Sequence, residues 1–435
     1  MLFETEGSSQ GGSLIRILKM LALVAIAAIL AACGSSNNNS SNASMRLVNA
    51  TGSASLSVTL NGNTQFSSVP AGNASKYASI SPGTYTITVT SAGGTPTSST
   101  TTFGLGSAQT FSLLAYDRDG ALFTSLVTEN EVAPPTGYGV LGLANLSPDS
   151  GPLDVFVVAP GASITGLAPT FQNVQNGAAA ASTTLATGTY DIVATAVGNS
   201  RDVRFTASSQ PIANQQIVSL GLTSTPGGAL VNGVFLVQAG GVRFVPATNA
   251  RARVVSALPT SGSYQVVATV GGTALPAAFA GLPTSSYALV PGGATTYTVT
   301  ISGTAVATLP ATTFGTGGDF TILVYGTAAS PNVSVFTDNN QTPVAGEVNL
   351  RLVNGAVNAS GGLSLYDNGV QVASSIAYGA ASAYSGVSVA SSTVLEVIEV
   401  GVTPVTANVA LATPEAVYTI FVIDSTLTPY LVRDR

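Results

Sequence analysis

The sequence predicts an all-β chain: four tandem immunoglobulin-like antiparallel β-sandwich domains behind an N-terminal export signal. Three observations carry this. First, apolar and polar residues alternate in short runs. In Tyr85-Thr-Ile-Thr-Val-Thr90, Tyr85, Ile87 and Val89 share one face and three threonines the other, the pattern of a half-buried strand. Second, similar blocks return about every hundred residues: Tyr85, Tyr190 and Tyr297 are 105 and 107 apart, and Phe111, Ile217, Phe320 and Tyr418 are 106, 103 and 98 apart. That period is too long for a solenoid rung and suits an autonomous domain. Third, hydrophobic residues reach 45% while charged residues make up only 7%, against about 25% in an ordinary soluble domain.

The N-terminus reads as an export signal. Arg16 and Lys19 precede an apolar run from Leu21 to Leu30, and small residues follow. Leu30-Ala31-Ala32-Cys33 contains the only cysteine and resembles the lipobox of bacterial lipoproteins. The resemblance implies cleavage after a signal peptide of residues 1–32 and lipidation of the Cys33 thiol. Gly34 stands where an Asp would imply inner-membrane retention, so the expected address is the outer membrane, facing either periplasm or cell surface. An uncleaved span is the alternative. However, Arg16 and Lys19 interrupt the stretch from Leu14 to Ala32, leaving less than the roughly 20 apolar residues a spanning helix needs. Residues 33–44 are polar and of low complexity, the composition of a flexible tether.

Four repeats follow, over residues 45–132, 138–238, 240–340 and 347–435. Linkers are expected at Val132-Ala-Pro-Pro-Thr136, Gln238-Ala-Gly-Gly241 and Asn339-Asn-Gln-Thr-Pro343. In the first repeat Leu56, Val58 and Leu60 alternate and lead into Asn61-Gly62, a hairpin turn signal. Asp119-Gly120 does the same after FSLLAY. Such runs give about seven strands per repeat, an immunoglobulin-type count, although the Cys pair and Trp of antibody domains are missing.

The openings RLVNA, LSPDSGPLDVFVVAPG and LSLYDNG resemble the 4397 family of domains of unknown function, found in tandem in bacterial exported and lipid-anchored proteins. The resemblance covers essentially the whole chain after residue 44. It implies a cell-envelope location and brings no catalytic residues with it.

Composition narrows function by subtraction. There is no His, which removes the usual near-neutral acid–base group and the usual metal ligand. Ser-His and Cys-His nucleophile pairs are excluded with it. A net charge of −6 with only 13 cations lacks the basic footprint that nucleic acid requires. Asp117-Arg-Asp-Gly120, Asp338-Asn-Asn340 and Asp367-Asn-Gly369 carry carboxylates before turn residues and read as turns rather than calcium loops. Asp149 with Asp154 is a paired-carboxylate candidate of glycosidase type, set against a structural role for both. Tyr77, Tyr287 and Tyr384 occupy equivalent places; they read either as plugs at the sandwich ends or as a row that stacks on sugar. Arg46, Arg243 and Arg351 recur near the first strands and are expected to make edge or inter-domain contacts. The expected function is a non-catalytic, lipid-anchored envelope protein, a structural or spacer array without cofactor or metal. The alternative is an adhesion or binding module whose sandwich-end loops recognise a glycan or envelope protein.

Overall fold

The computed structural model describes residues 41–435 apart from 53, 93–97, 119, 178–180, 260, 280–282, 358, 360, 400–402, 424–426 and 428. Leu30, Ala31, Ala32 and Cys33 lie outside the described residues, as does Asp119. The described chain is built of strands, with a single helical turn at Pro148–Ser150. None of its helices is long and apolar enough to cross a membrane.

The first repeat sets the pattern for all four. Its strands are β1 (Ala43–Asn49), β2 (Leu56–Leu60), β3 (Asn63–Val69), β4 (Asn73–Ala74), β5 (Ala78–Ile80), β6 (Gly83–Ser91), β7 (Ser98–Leu105), β8 (Thr110–Arg118) and β9 (Ala121–Thr128). One sheet runs β4-β1-β8-β9, with β5 also on β1; the other runs β3-β2-β6-β7. Met45 and Leu47 from the first sheet and Val58, Ile87 and Val89 from the second meet in one core. Asn61 and Gly62 both take positive φ, at 49° and 83°, as the tight turn between β2 and β3 requires.

The same two sheet orders recur in the other three repeats, each pair of sheets enclosing its own core. In the second, Ile192 is fully buried beside Ala194, as the period-two reading expects. Each repeat departs from a purely antiparallel sandwich in one ladder. β1 runs parallel to β8, and the equivalent pairs are Tyr138–Asn145 with Ile217–Ser224, Asn249–Ala257 with Asp319–Thr327, and Glu347–Asn354 with Val417–Val422. A parallel pair needs a long crossover, and the chain supplies it by building the opposite sheet in between.

Several expected edges move. β1 begins at Ala43, inside the expected tether. Gln238-Ala-Gly-Gly241 is not a linker but the turn of a hairpin, because Val242–Val245 pairs back onto Val231–Val237 of the second repeat. Gly-Gly serves both purposes, so the sequence signal was ambiguous. The register also differs by one residue in the second repeat, where Val218 rather than Ile217 occupies the place of Phe111. Both are buried, so the apolar pattern could not separate them.

The β1-type sheets are covered on both faces. Their outer faces pack against one another in pairs. Val48 and Leu114 of the first repeat meet Val234 and Leu236 of the second. Val255, Ala257 and Leu323 of the third meet Val353 and Phe421 of the fourth. Residues Asn42–Arg435 thereby form one compact unit.

Candidate functional site

An arginine on a first strand, directed away from its own core, organises each inter-repeat junction that has one. In the first repeat Arg46 is paired in register with Ser112. Its Nε donates to Ser112 Oγ at 2.6 Å and its Nη2 to Glu129 Oε1 at 2.9 Å. The Tyr77 hydroxyl donates to the other Glu129 oxygen at 2.7 Å, and the guanidinium lies 4.7 Å from the Tyr77 ring centre. Burial and the bond to Glu129 raise the Tyr77 hydroxyl well above its ordinary pKa. Arg46 also reaches the second repeat, donating to the carbonyls of Gly240 and Val237, while Ala239 N donates to Glu129 at 2.8 Å.

Repeats three and four contain the same four positions. They are Arg253, Thr321, Asp338 and Tyr287 in one and Arg351, Thr419, Asp434 and Tyr384 in the other, with each Arg again in register with its Thr. Here the acids are exchanged. Arg253 Nη1 donates to Asp434 at 2.5 Å, and Arg351 Nη2 donates to Asp338 at 2.6 Å. All four charged side chains are at most 2% exposed. Arg253 lies 4.6 Å from the Tyr287 ring centre and Arg351 4.5 Å from that of Tyr384. Burial alone would raise the Asp338 pKa, but the Arg351 and Arg253 guanidiniums outweigh it and hold the carboxyl below its ordinary range. The second repeat lacks the set: Gly142 stands opposite Ser219 where the others have Arg opposite Ser or Thr.

These findings settle the placement of the sequence candidates. Tyr77, Tyr287 and Tyr384 are half-buried caps over arginines, not an exposed row for stacking on sugar. Asp338 is not a turn residue but the partner of Arg351. Arg46 and Arg351 do make inter-repeat contacts. Arg243 is not their equivalent, because it sits on the second repeat's extra strand and stacks over Phe235 at 4.5 Å; the third repeat uses Arg253. Sequence reasoning missed Arg253, Glu129 and Asp434. The detectable signal was spacing, with Arg followed by Ser or Thr 66–68 residues on and by an acid 15–17 residues later.

Asp149 and Asp154 serve different ends. Asp149 accepts a forked pair from Arg118, with Nε and Nη2 each at 2.8 Å. It also accepts from Ser224 Oγ and Thr342 N at 2.8 Å, so it ties the first and second repeats to the segment before the fourth. Burial would raise its pKa, but Arg118 and these donors lower it. Asp154 accepts from Asn173 N and Gly198 N at 2.8 and 2.9 Å. Both carboxylates are thus engaged in hydrogen bonds that hold loops and repeats in place.

Two of the cavities at the junctions, among the described residues, exceed 500 Å³. One, of about 840 Å³, is walled by all four repeats and includes Arg118, Phe244, Asp338 and Tyr384. The other, of about 550 Å³, lies among the second, third and fourth repeats and includes Arg201, Arg204, Arg251, Arg253, Tyr287 and Arg433.

Comparison with known proteins adds the family. No curated protein matches the chain. Among solved structures, a candidate cell adhesion protein from Bacteroides uniformis is 12% identical over 47% of this chain and 100% of its own, with a TM-score of 0.23. The Bacillus anthracis TIE protein is 12% identical over 95% of this chain and 79% of its own, with a TM-score of 0.14. The profile described as Domain of unknown function (DUF4397) matches residues 43–156 and 250–366, each span running from the first strand of one repeat into the second strand of the next. Together those spans cover more than half of the sequence, and the chain belongs to that family.

Proposed function

We propose that this is a non-catalytic cell-envelope protein: a rigid scaffold of four β-sandwich domains, held to the outer membrane through a lipid on Cys33. The observation that carries the reading is where the buried charge goes. Glu129, Asp149, Asp319, Asp338 and Asp434 each pair with an arginine, and Arg46, Arg118, Arg253 and Arg351 bridge repeats or the segments between them. These five buried carboxylates are therefore engaged by arginine, several of them across repeat boundaries, rather than left free for acid–base chemistry. Because the repeats dock in pairs, the scaffold is a compact block rather than a string of spacers.

The test has two readouts on the full chain expressed in a bacterial host. Cys33→Ser should abolish incorporation of labelled palmitate and release the protein from the membrane fraction. The purified wild-type chain should show no turnover on a panel of glycosides, esters and peptides. Label retained in Cys33→Ser, or turnover abolished by replacing one carboxylate pair, would overturn the corresponding half of the proposal.

A second reading, a binding or adhesion module, is favoured by the cavities at the repeat junctions rather than by the sandwich-end loops. They fall in the size range of small-molecule sites, roughly 300–1,000 Å³.

A further inference from the structure

The 550 Å³ cavity has an unusual charge balance for this chain. Five of the protein's eleven arginines line it (Arg201, Arg204, Arg251, Arg253 and Arg433), against two carboxylates, Asp202 and Asp434. The rest of the molecule is acidic enough to bring the net charge to −6. Three strands from three repeats deliver these side chains. Arg201 and Arg204 come from Asn199–Ile212, Arg251 and Arg253 from Asn249–Ala257, and Arg433 from Pro429–Arg433.

Three of the five are matched. Arg253 pairs with Asp434, Arg251 with Asp319 at 2.6 Å, and Arg204 with Asp202 at 2.7 Å. Arg201 and Arg433 are exposed and, among the described residues, pair with no Asp or Glu; Arg433 Nε donates to the main-chain oxygen of Arg435, which leaves its two terminal nitrogens for a ligand. Arg204 Nε and Arg253 Nη2 are buried with no acceptor. Burial, and then the neighbouring Arg251, lower the Arg204 pKa from its ordinary value, the mark of like charges crowded in a poorly solvated wall. A concave surface of one sign between low-dielectric walls focuses the field and concentrates counter-ions. Guanidinium forks match the planar or tetrahedral oxygens of carboxylate, sulfate and phosphate.

We propose that this cavity is a binding site for an oxyanion group, carboxylate, sulfate or phosphate, held at the rim by Arg201 and Arg433 above Arg204 and Arg251. The group arrives either as a free ion or as the acidic substituent of a saccharide. The site does not depend on lipid attachment at Cys33 or on the scaffold role, so the two proposals fail separately.

Isothermal titration of the full chain at low ionic strength tests it with three probes: inorganic sulfate, tri-galacturonate and the neutral galactotriose. Sulfate or tri-galacturonate should bind and weaken in about 0.5 M NaCl, where charge interactions are screened within a few ångströms, while galactotriose should not bind. Tighter binding of tri-galacturonate than of sulfate assigns the site to an acidic saccharide; equal or tighter sulfate binding assigns it to the free ion. Arg201→Gln and Arg433→Gln should each weaken the bound anion about tenfold, the value of one charge-assisted hydrogen bond. Both side chains are exposed, so the fold should survive, which an unchanged melting temperature verifies. Arg243→Gln, outside the cavity, should leave affinity unchanged. The proposal is overturned if neither anion binds the folded chain, if the double variant binds as wild type does, or if galactotriose binds equally well.

Discussion

At the scale of single residues, the stability of this protein rests on arginines that would be costly if left alone. A buried ion pair is weak evidence for net stability, but removing one partner is severe because the other charge stays buried. Asp338 is wholly buried, bonded to Arg351, to Tyr287 at 2.6 Å and to Thr321 at 2.5 Å. Asp338→Asn should therefore cost about 3–5 kcal/mol, whereas Asp338→Leu combined with Arg351→Met should recover much of it. Denaturant melts of both variants decide the matter; equal losses would show that the hydrophobic replacement packs no better than the broken pair. The pH dependence follows from the same residue. The folded pKa of Asp338 lies below its ordinary value of 3.8, so the folded state holds the ionised form more tightly than the unfolded state does. Its contribution is present above pH 3.8 and is lost as pH falls through the lower folded value. Wild type should lose stability on acidification below about pH 4, and Asp338→Asn should flatten that limb of the curve.

At the scale of elements, the outer sheets were legible in the sequence and the inner ones only in part. β6 alternates Thr out and Ile or Val in, and its burial follows the period of two. Asp319–Thr327 and Val417–Val422 are buried along nearly their whole length, and their apolar runs TILVY and TIFVI are continuous. A continuous run signals a strand covered on both faces, so the sequence did contain the notice that a second layer lies outside each β1-type sheet. It did not say which layer. That depends on contacts between residues far apart in the chain, such as Arg253 with Asp434, 181 residues away. Turns show the same division. Gly369, in the expected Asp-Asn-Gly turn, has φ +79° and open space around it. Gly228 also has positive φ, +91°, but a Cβ there would stand 2.6–2.7 Å from the backbone of Asn340 and Gln341. Gly369→Ala should therefore cost only backbone strain, about 1 kcal/mol, and Gly228→Ala should cost visibly more by forcing the second repeat away from the third. Equal changes in melting temperature for the two variants would mean that the approach at Gly228 relaxes freely.

At the scale of the whole molecule, the exchange of acids between repeats three and four makes the pair, rather than the single sandwich, the unit of stability. Each of these repeats encloses its own core, which is why a period near one hundred residues reads as an autonomous domain. Yet Val255, Ala257 and Leu323 are at most 2% exposed only because the fourth repeat covers them. Arg253, also 2% exposed, takes its carboxylate from that neighbour. Separation would uncover an apolar sheet face and leave Arg253 without Asp434 and Asp338 without Arg351. An uncompensated buried charge costs about 3–5 kcal/mol, a large share of the 5–15 kcal/mol that holds a typical domain folded. A fragment of residues 248–435 should accordingly be monomeric and melt in one cooperative step. The fragment 248–341 should instead self-associate through the uncovered sheet, since Arg253 of one copy could meet Asp338 of another. Light scattering beside calorimetry distinguishes the outcomes. If 248–341 is a monomer melting within a few degrees of 248–435, the buried exchange contributes little, and the repeats are independent domains after all.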